Sequence, residues 1–228
     1  MKNTPKSFKN VLVTGGSRGI GQAVCREFSR QGAFVLAPSR RELDLNHPGS
    51  IRKWLRNHAR WVPDVMVLNA GINEPQPLLK LKDETWRKTL QVNLEANLHL
   101  IQGMAPRMAQ KGGGRVVCVS SILARIARSG RCAYSVSKAA LEMLVRSAAA
   151  ELAPQGILVN AVAPGFILTE MTRKNNDPQQ IREIIQDIPL GRLGGVDEVV
   201  RWIVHLSSSQ NTYVTGQTIV VDGGYTLR

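Results

Sequence analysis

Short apolar runs rich in β-branched residues recur at positions 10–14, 33–37, 64–68, 115–119, 157–162 and 218–221, and each predicts a buried strand. A further short run at 42–45 reads as a third strand, almost directly after the second. Between these runs the apolar positions change to helical spacing. Ala23, Val24 and Phe28 mark a helix over about 22–31, and Ile51, Trp54 and Leu55 one over about 48–59. Trp86, Leu90, Leu94, Leu98 and Ile101 form one stripe of a long helix over about 85–110, with Asn93 embedded in it. A helix runs from just after Gly130 to Glu151, and another covers 196–207. Residues 170–190 are polar, contain Pro178 and Pro189, and predict a mobile lid with one short helix. Alternating strands and helices imply a parallel sheet covered on both faces. The direct step from the second strand to the third is unusual, because parallel strands normally need a crossover helix.

The first strand runs into Gly15-Gly16-Ser17-Arg18-Gly19-Ile20-Gly21 and then a helix. Glycines permit the tight turn and let the backbone approach a pyrophosphate, which sits at the positive end of the helix. The second strand ends at Pro38-Ser39-Arg40-Arg41, with no carboxylate at that end. An acid there favours the free 2′-hydroxyl of the adenosine ribose and an arginine favours a 2′-phosphate, so Ser39 and Arg40, with Arg18, point to NADP(H).

The strand at 115–119 delivers Ser120 and Ser121 to its C-terminal edge, and the next helix carries Tyr134 and Lys138 four positions apart, on one face. A phenol titrates near ~10, too high for an efficient acid at neutral pH, and a neighbouring ammonium lowers that value. The pair is therefore a tunable proton donor. Asn93 sits badly in a helix interior, which marks it for a polar exterior or a function.

Composition narrows the class. A chain of 228 residues, 43% hydrophobic and 21% charged, suits one globular domain. Its first residues lack the apolar core of a signal peptide, and no apolar run approaches ~18 residues, so a cytoplasmic protein without membrane association is expected. Cys25, Cys118 and Cys132 lack the spacing of a disulfide framework or zinc site. A net charge of +13 favours acidic partners, but the basic residues are scattered and form no nucleic-acid motif.

Taken together, Thr14-Gly15-x-x-x-Gly19-Ile20-Gly21, Asn69-Ala70-Gly71, Asn93, Ser121 with Tyr134 and Lys138, Pro164-Gly165 through Thr169, and Val221-Asp222-Gly223-Gly224 resemble the short-chain dehydrogenase/reductase family over essentially the whole chain. The segment from Gly191 to the final Gly-Gly is most similar to the 3-oxoacyl-carrier-protein reductases. Two departures are visible: the helix usual between the second and third strands is missing, and Ala124 and Ala127 replace glycines usual after the serine. The resemblance implies a single Rossmann-type, doubly wound α/β domain spanning 1–228 in three layers. It also implies reduction of a ketone to a secondary alcohol with NADPH. Tyr134 would be the acid, with Ser121 donating to the carbonyl oxygen. Lys138 would hold the nicotinamide ribose and depress the Tyr134 pKa, and Asn93 would kink its helix and hold a water leading to Lys138. Gly15, Ser17, Arg18, Gly19 and Ile20 would cradle the phosphates, and Asp44 would meet the adenine. Asn69, Ala70, Gly71, Pro164, Gly165, Ile167 and Thr169 would line the dinucleotide.

The expected substrate is a 3-oxoacyl thioester or another anionic ketone. Arg125, Arg128 and Arg131, crowded between Ser121 and Tyr134, are expected to form a self-repelling loop at the site's mouth that recruits it. The alternatives are oxidation of a sugar, polyol or steroid alcohol, and a nucleotide sensor that keeps the pocket but has no need of the acid. Leu100, Met104, Ala140, Met143 and Ala150 exceed what one sheet face can bury, and the resemblance implies that these helices pair across subunits, so a homotetramer or homodimer is expected.

Overall fold

The computed structural model describes residues 9–227. Six parallel strands form one sheet: β1 (Asn10–Thr14), β2 (Phe34–Leu36), β3 (Val65–Leu68), β4 (Gly114–Val119), β5 (Ile157–Pro164) and β6 (Thr218–Val221). Their order is β2-β1-β3-β4-β5-β6. β3 is buried at every position, as expected of a strand covered on both faces. Among the described residues eight α-helices follow in chain order: α1 (Gly19–Arg30), α2 (Pro48–Asn57), α3 (Asp83–Leu90), α4 (Ala96–Gln110), α5 (Cys132–Leu152), α6 (Glu170–Asn175), α7 (Pro178–Asp187) and α8 (Val196–Ser207). α2, α4 and α5 bury Ile51, Trp54, Leu100, Met104 and Leu141 on one face of the sheet, and α1 and α8 bury Val24, Phe28, Val199 and Ile203 on the other. This is the doubly wound, Rossmann-type architecture.

The chain leaves β1 toward β2 on one side and returns to β3 on the other, so the strand order reverses at β1 and opens a crevice beyond the strand ends. Thr14 closes the floor of that crevice. Its Oγ1 accepts hydrogen bonds from the Asn69 and Ala70 backbone N–H groups at 3.0 and 3.1 Å.

Four expectations are corrected. Residues 42–45 form no strand: they lie in the loop from β2 to α2, where Leu43 and Leu45 are buried as plugs at the sheet edge. Alternating apolar residues serve a core-facing loop as well as a strand, and the loss of this strand leaves β2 as the outer edge. The long helix at 85–110 is interrupted by a π-helical turn, Gln91–Glu95, centred on Asn93. The 170–190 segment holds two helices, α6 and α7; Asp177 and Gln180 cap α7 reciprocally. Leu100 and Met104, offered as surplus apolar surface, are fully buried, whereas Met143 is 55% exposed. Cys118 is a core residue whose thiol burial pushes up to about 12. Among the described residues no helix is long and apolar enough to cross a membrane.

Candidate active site

The crevice widens into a cavity of about 550 Å³. Its floor is the turn from β1 into α1. Gly15 takes φ +68°, and a Cβ there would press to 3.0 Å on Ala70; a Cβ on Gly21 would lie 2.2 Å from the Gly15 carbonyl oxygen. Neither position tolerates a side chain, because the turn and α1 close tightly beneath the cavity. Asn69 ties the next strand to this turn, its Nδ2 donating to the Thr14 and Gly15 carbonyls at 3.0 and 3.2 Å. The N-terminus of α1 therefore faces open space, and its free N–H groups with the adjacent Arg18 make an anion cradle.

Gly15, Ser17, Arg18, Gly19 and Ile20 all line the cavity. So do Ser39, Arg40 and Asp44 at one end, Asn69, Ala70 and Gly71 on the floor, and Pro164, Gly165, Ile167 and Thr169 at the far wall. Ser121, Tyr134 and Lys138 close the other end. A long cavity over a helix N-terminus, basic at one end and phenolic at the other, fits a dinucleotide.

The three groups expected to meet a 2′-phosphate each hold an internal carboxylate. Arg18 Nη1 donates to both carboxylate oxygens of Glu170 at 2.9 Å, Arg40 lies 3.6 Å from Asp44, and the Ser39 backbone N–H donates to Glu42 Oε2 at 2.7 Å. The last contact corrects the reading that no acid stands at the end of β2. Glu42 lies three residues past Ser39, but the loop folds back and its carboxyl is held below the ordinary range by that backbone hydrogen bond.

At the other end, Tyr134 and Lys138 share a face of α5, with Lys138 Nζ 5.7 Å from the centre of the Tyr134 ring. Lys138 is buried and donates to the Val119 carbonyl at 2.7 Å; burial lowers its pKa to about 8. Burial raises the Tyr134 phenol, while the Ser121 hydroxyl and the Arg131 guanidinium pull it down. The lowering expected from Lys138 is not found: burial outweighs Ser121 and Arg131 and leaves the phenol above its ordinary value, and the Lys138 ammonium donates to a strand carbonyl.

Asn93 stands behind this wall. Its Oδ1 accepts from the Ile72 N–H at 2.9 Å, and its Nδ2 donates to the Ile72 carbonyl at 3.0 Å and to Ser137 Oγ at 3.0 Å. One side chain thus joins the loop after β3 to α5. The π-helical turn carries that side chain into the core, where an ordinary helix interior would leave it poorly satisfied.

The arginine loop is not a free patch of like charge. Arg125 pairs with Glu142 at 3.4 Å. Arg128 donates to Asn176 Oδ1 at 3.0 Å and stands 5.3 Å over the Phe166 ring. Arg131, 7% exposed, donates to Asn73 Oδ1 at 3.3 Å and to the Asn175 carbonyl at 2.8 Å. None of the three lines the cavity. Arg128 and Arg131 instead hold the end of α6, whose start is held by the Arg18–Glu170 pair. Sequence reasoning passed over the cavity-lining Val92, Glu170, Met171 and Thr172; the last three fall in the segment read as a lid, which was the available signal.

A family model described as enoyl-(acyl carrier protein) reductase matches residues 37–226, and one described as short chain dehydrogenase matches residues 9–59. The 3-oxoacyl-[acyl-carrier-protein] reductase FabG of Escherichia coli (strain K12) is 35% identical, over 95% of this chain and 96% of that one. FabG of Rickettsia felis is 37% identical over the same shares. Among solved structures, a gluconate 5-dehydrogenase from Burkholderia cenocepacia J2315 in complex with NADP and tartrate superposes with a TM-score of 0.91 at 29% identity, covering 96% of each chain. A 4-hydroxyisoleucine dehydrogenase complexed with NADH superposes with a TM-score of 0.92 at 29% identity, covering 96% of this chain and 99% of that one.

Proposed function

The chain belongs to the short-chain dehydrogenase/reductase family of oxidoreductases, and we propose that within it the protein uses NADPH to reduce a ketone, a 3-oxoacyl thioester foremost, to a secondary alcohol. The observation that carries this reading is the convergence of Ser121, Tyr134 and Lys138 at one end of a cavity whose floor is a glycine turn and a helix N-terminus. Bound along that floor, the dinucleotide supplies the hydride. Gly15, Ser17, Gly19 and Ile20 hold its phosphates, and Ser39, Arg40 and Arg18 receive the 2′-phosphate once their internal carboxylates give way. Asp44 meets the adenine, and Asn69, Ala70, Gly71, Pro164, Gly165, Ile167 and Thr169 line the rest.

Tyr134 gives its phenolic proton to the substrate oxygen. Its raised pKa keeps that proton in place at neutral pH, and Ser121 orients the carbonyl by a hydrogen bond. Lys138 holds the ribose hydroxyls, and Asn93 fixes the distance between the loop after β3 and α5. The thioester substrate is supported by the FabG relatives, 35–37% identical over 95% of the chain. The gluconate 5-dehydrogenase likeness supports a second reading, a sugar-acid substrate. The exposed Met143 on α5 supports pairing of that helix across a subunit interface in a homotetramer or homodimer. The test is turnover of a ketone panel that includes 3-oxoacyl thioesters and 5-ketogluconate, with NADPH consumption as readout. Consumption with the thioesters supports the first reading, and consumption with the keto-acid alone replaces it with the second.

A further inference from the structure

We infer that Glu142 is a positioning residue whose buried carboxylate ties the turn carrying Ser121 to the helix carrying Tyr134 and Lys138. The inference rests on the roles proposed above for those three residues. Glu142 lies on α5 one helical turn beyond Lys138 and two beyond Tyr134, and therefore shares their face. Its side chain is 6% exposed, and a carboxylate so deep persists only when its oxygens are partnered. Both are partnered on the same neighbouring segment: Oε1 accepts from Ser120 Oγ at 3.0 Å, and Oε2 lies 3.4 Å from Arg125 Nε.

Those two residues bracket the turn that presents Ser121. Ser120 ends the run out of β4, anchored by its N–H to the Val162 carbonyl at 2.7 Å. Ser121 caps the following single turn, Ile122–Ala124, its Oγ accepting from the Leu123 N–H at 3.2 Å. Arg125 closes that turn with its N–H on the Ile122 carbonyl at 2.9 Å. One carboxylate on α5 therefore grips the residue before Ser121 and the residue four after it. An apolar side chain of similar volume would serve stability about as well. What the paired carboxylate adds is a fixed separation between the Ser121 hydroxyl and the helix bearing Tyr134. This also assigns Arg125 a task inside the site's scaffold.

The test is a double-mutant cycle with Ser121→Ala and Glu142→Leu, measured on whichever ketone the panel identifies, with NADPH affinity followed by nucleotide fluorescence. Arg125 is 42% exposed and can turn to solvent when its partner is removed. Glu142→Leu is expected to lower kcat by roughly 10 to 100-fold, the cost of a small misplacement, and to leave the NADPH Kd within about twofold. In the Ser121→Ala background the same change is expected to lower kcat no further. Ser120→Ala, which removes one of the two contacts without unpairing a charge, should follow the same pattern and serves if Glu142→Leu does not fold. Full kcat in either variant, or an equal fall in both backgrounds, overturns the positioning role. Full activity of Ser121→Ala alone would instead overturn the proposed role of Ser121, so the two failures are distinct.

Discussion

The Lys138 ammonium lies 5.7 Å from the centre of the Tyr134 ring, yet its hydrogen bond goes to the Val119 carbonyl at 2.7 Å. This buried cation costs the fold free energy. Burial lowers its pKa from 10.5 to about 8, a penalty on the order of 3 kcal/mol. Below pH 8 both folded and unfolded chains hold the proton and the whole penalty applies. Between about pH 8 and 10.5 the folded chain has released it while the unfolded chain has not, so stability rises with pH.

Lys138→Met should therefore stabilise the protein by about 1–3 kcal/mol at pH 7, a gain of several degrees in Tm for a domain of this size. Ketone reduction should fall in the same variant. Thermal unfolding at pH 7 and pH 10 checks this, with the gain shrinking at the higher pH. An unchanged or lowered Tm at pH 7 would contradict the penalty.

The proposed preference for NADPH rests on the loop after β2. Arg40→Ala removes a charge-assisted contact of roughly 1.5–3 kcal/mol and should raise the KM for NADPH by about 10-fold or more, with NADH little changed. Glu42→Ala should act in the opposite sense, because it frees the Ser39 N–H and removes a negative charge from beside the 2′-phosphate position. Parallel titrations with the two nucleotides measure both ratios, and a wild-type preference for NADH would show that Glu42 outweighs Arg40.

The features legible in the sequence were those with local causes. A tight glycine turn entering a helix, and a tyrosine and lysine four positions apart, are set by neighbouring residues alone, and all of them stand where their spacing put them. Asn93 was legible as an anomaly in an apolar stripe, but the π-helical turn beneath it was not, since periodicity alone does not distinguish it from the flanking helix. The strand expected at 42–45 failed because Leu43 and Leu45 give the same alternating signature when they plug a core from a loop. The arginines failed for a different reason: Arg131 meets Asn175 across 44 positions and Arg128 meets Asn176 across 48, and such pairings have no local trace.

Those pairings change what the arginine loop does. Arg131→Ala would leave the Asn73 and Asn175 acceptors without their donor and loosen the end of α6, while removing a cation that lowers the Tyr134 pKa. Loss of such a buried hydrogen-bonding group typically costs about 1–3 kcal/mol. Steady-state kinetics should show KM rising for neutral and anionic ketones alike, and the high-pH limb of the reduction profile should move upward. A KM increase confined to anionic substrates would instead return the loop to a recruiting role.

The most direct measurement compares Tyr134→Phe with the wild-type enzyme in NADPH-dependent ketone reduction, with NADPH binding followed in parallel. The variant keeps the ring and loses only the hydroxyl. Binding should survive within about twofold, while kcat falls by roughly 100 to 10,000-fold, as expected when a general acid is removed. Near-normal turnover by Tyr134→Phe would contradict the proton-donor mechanism.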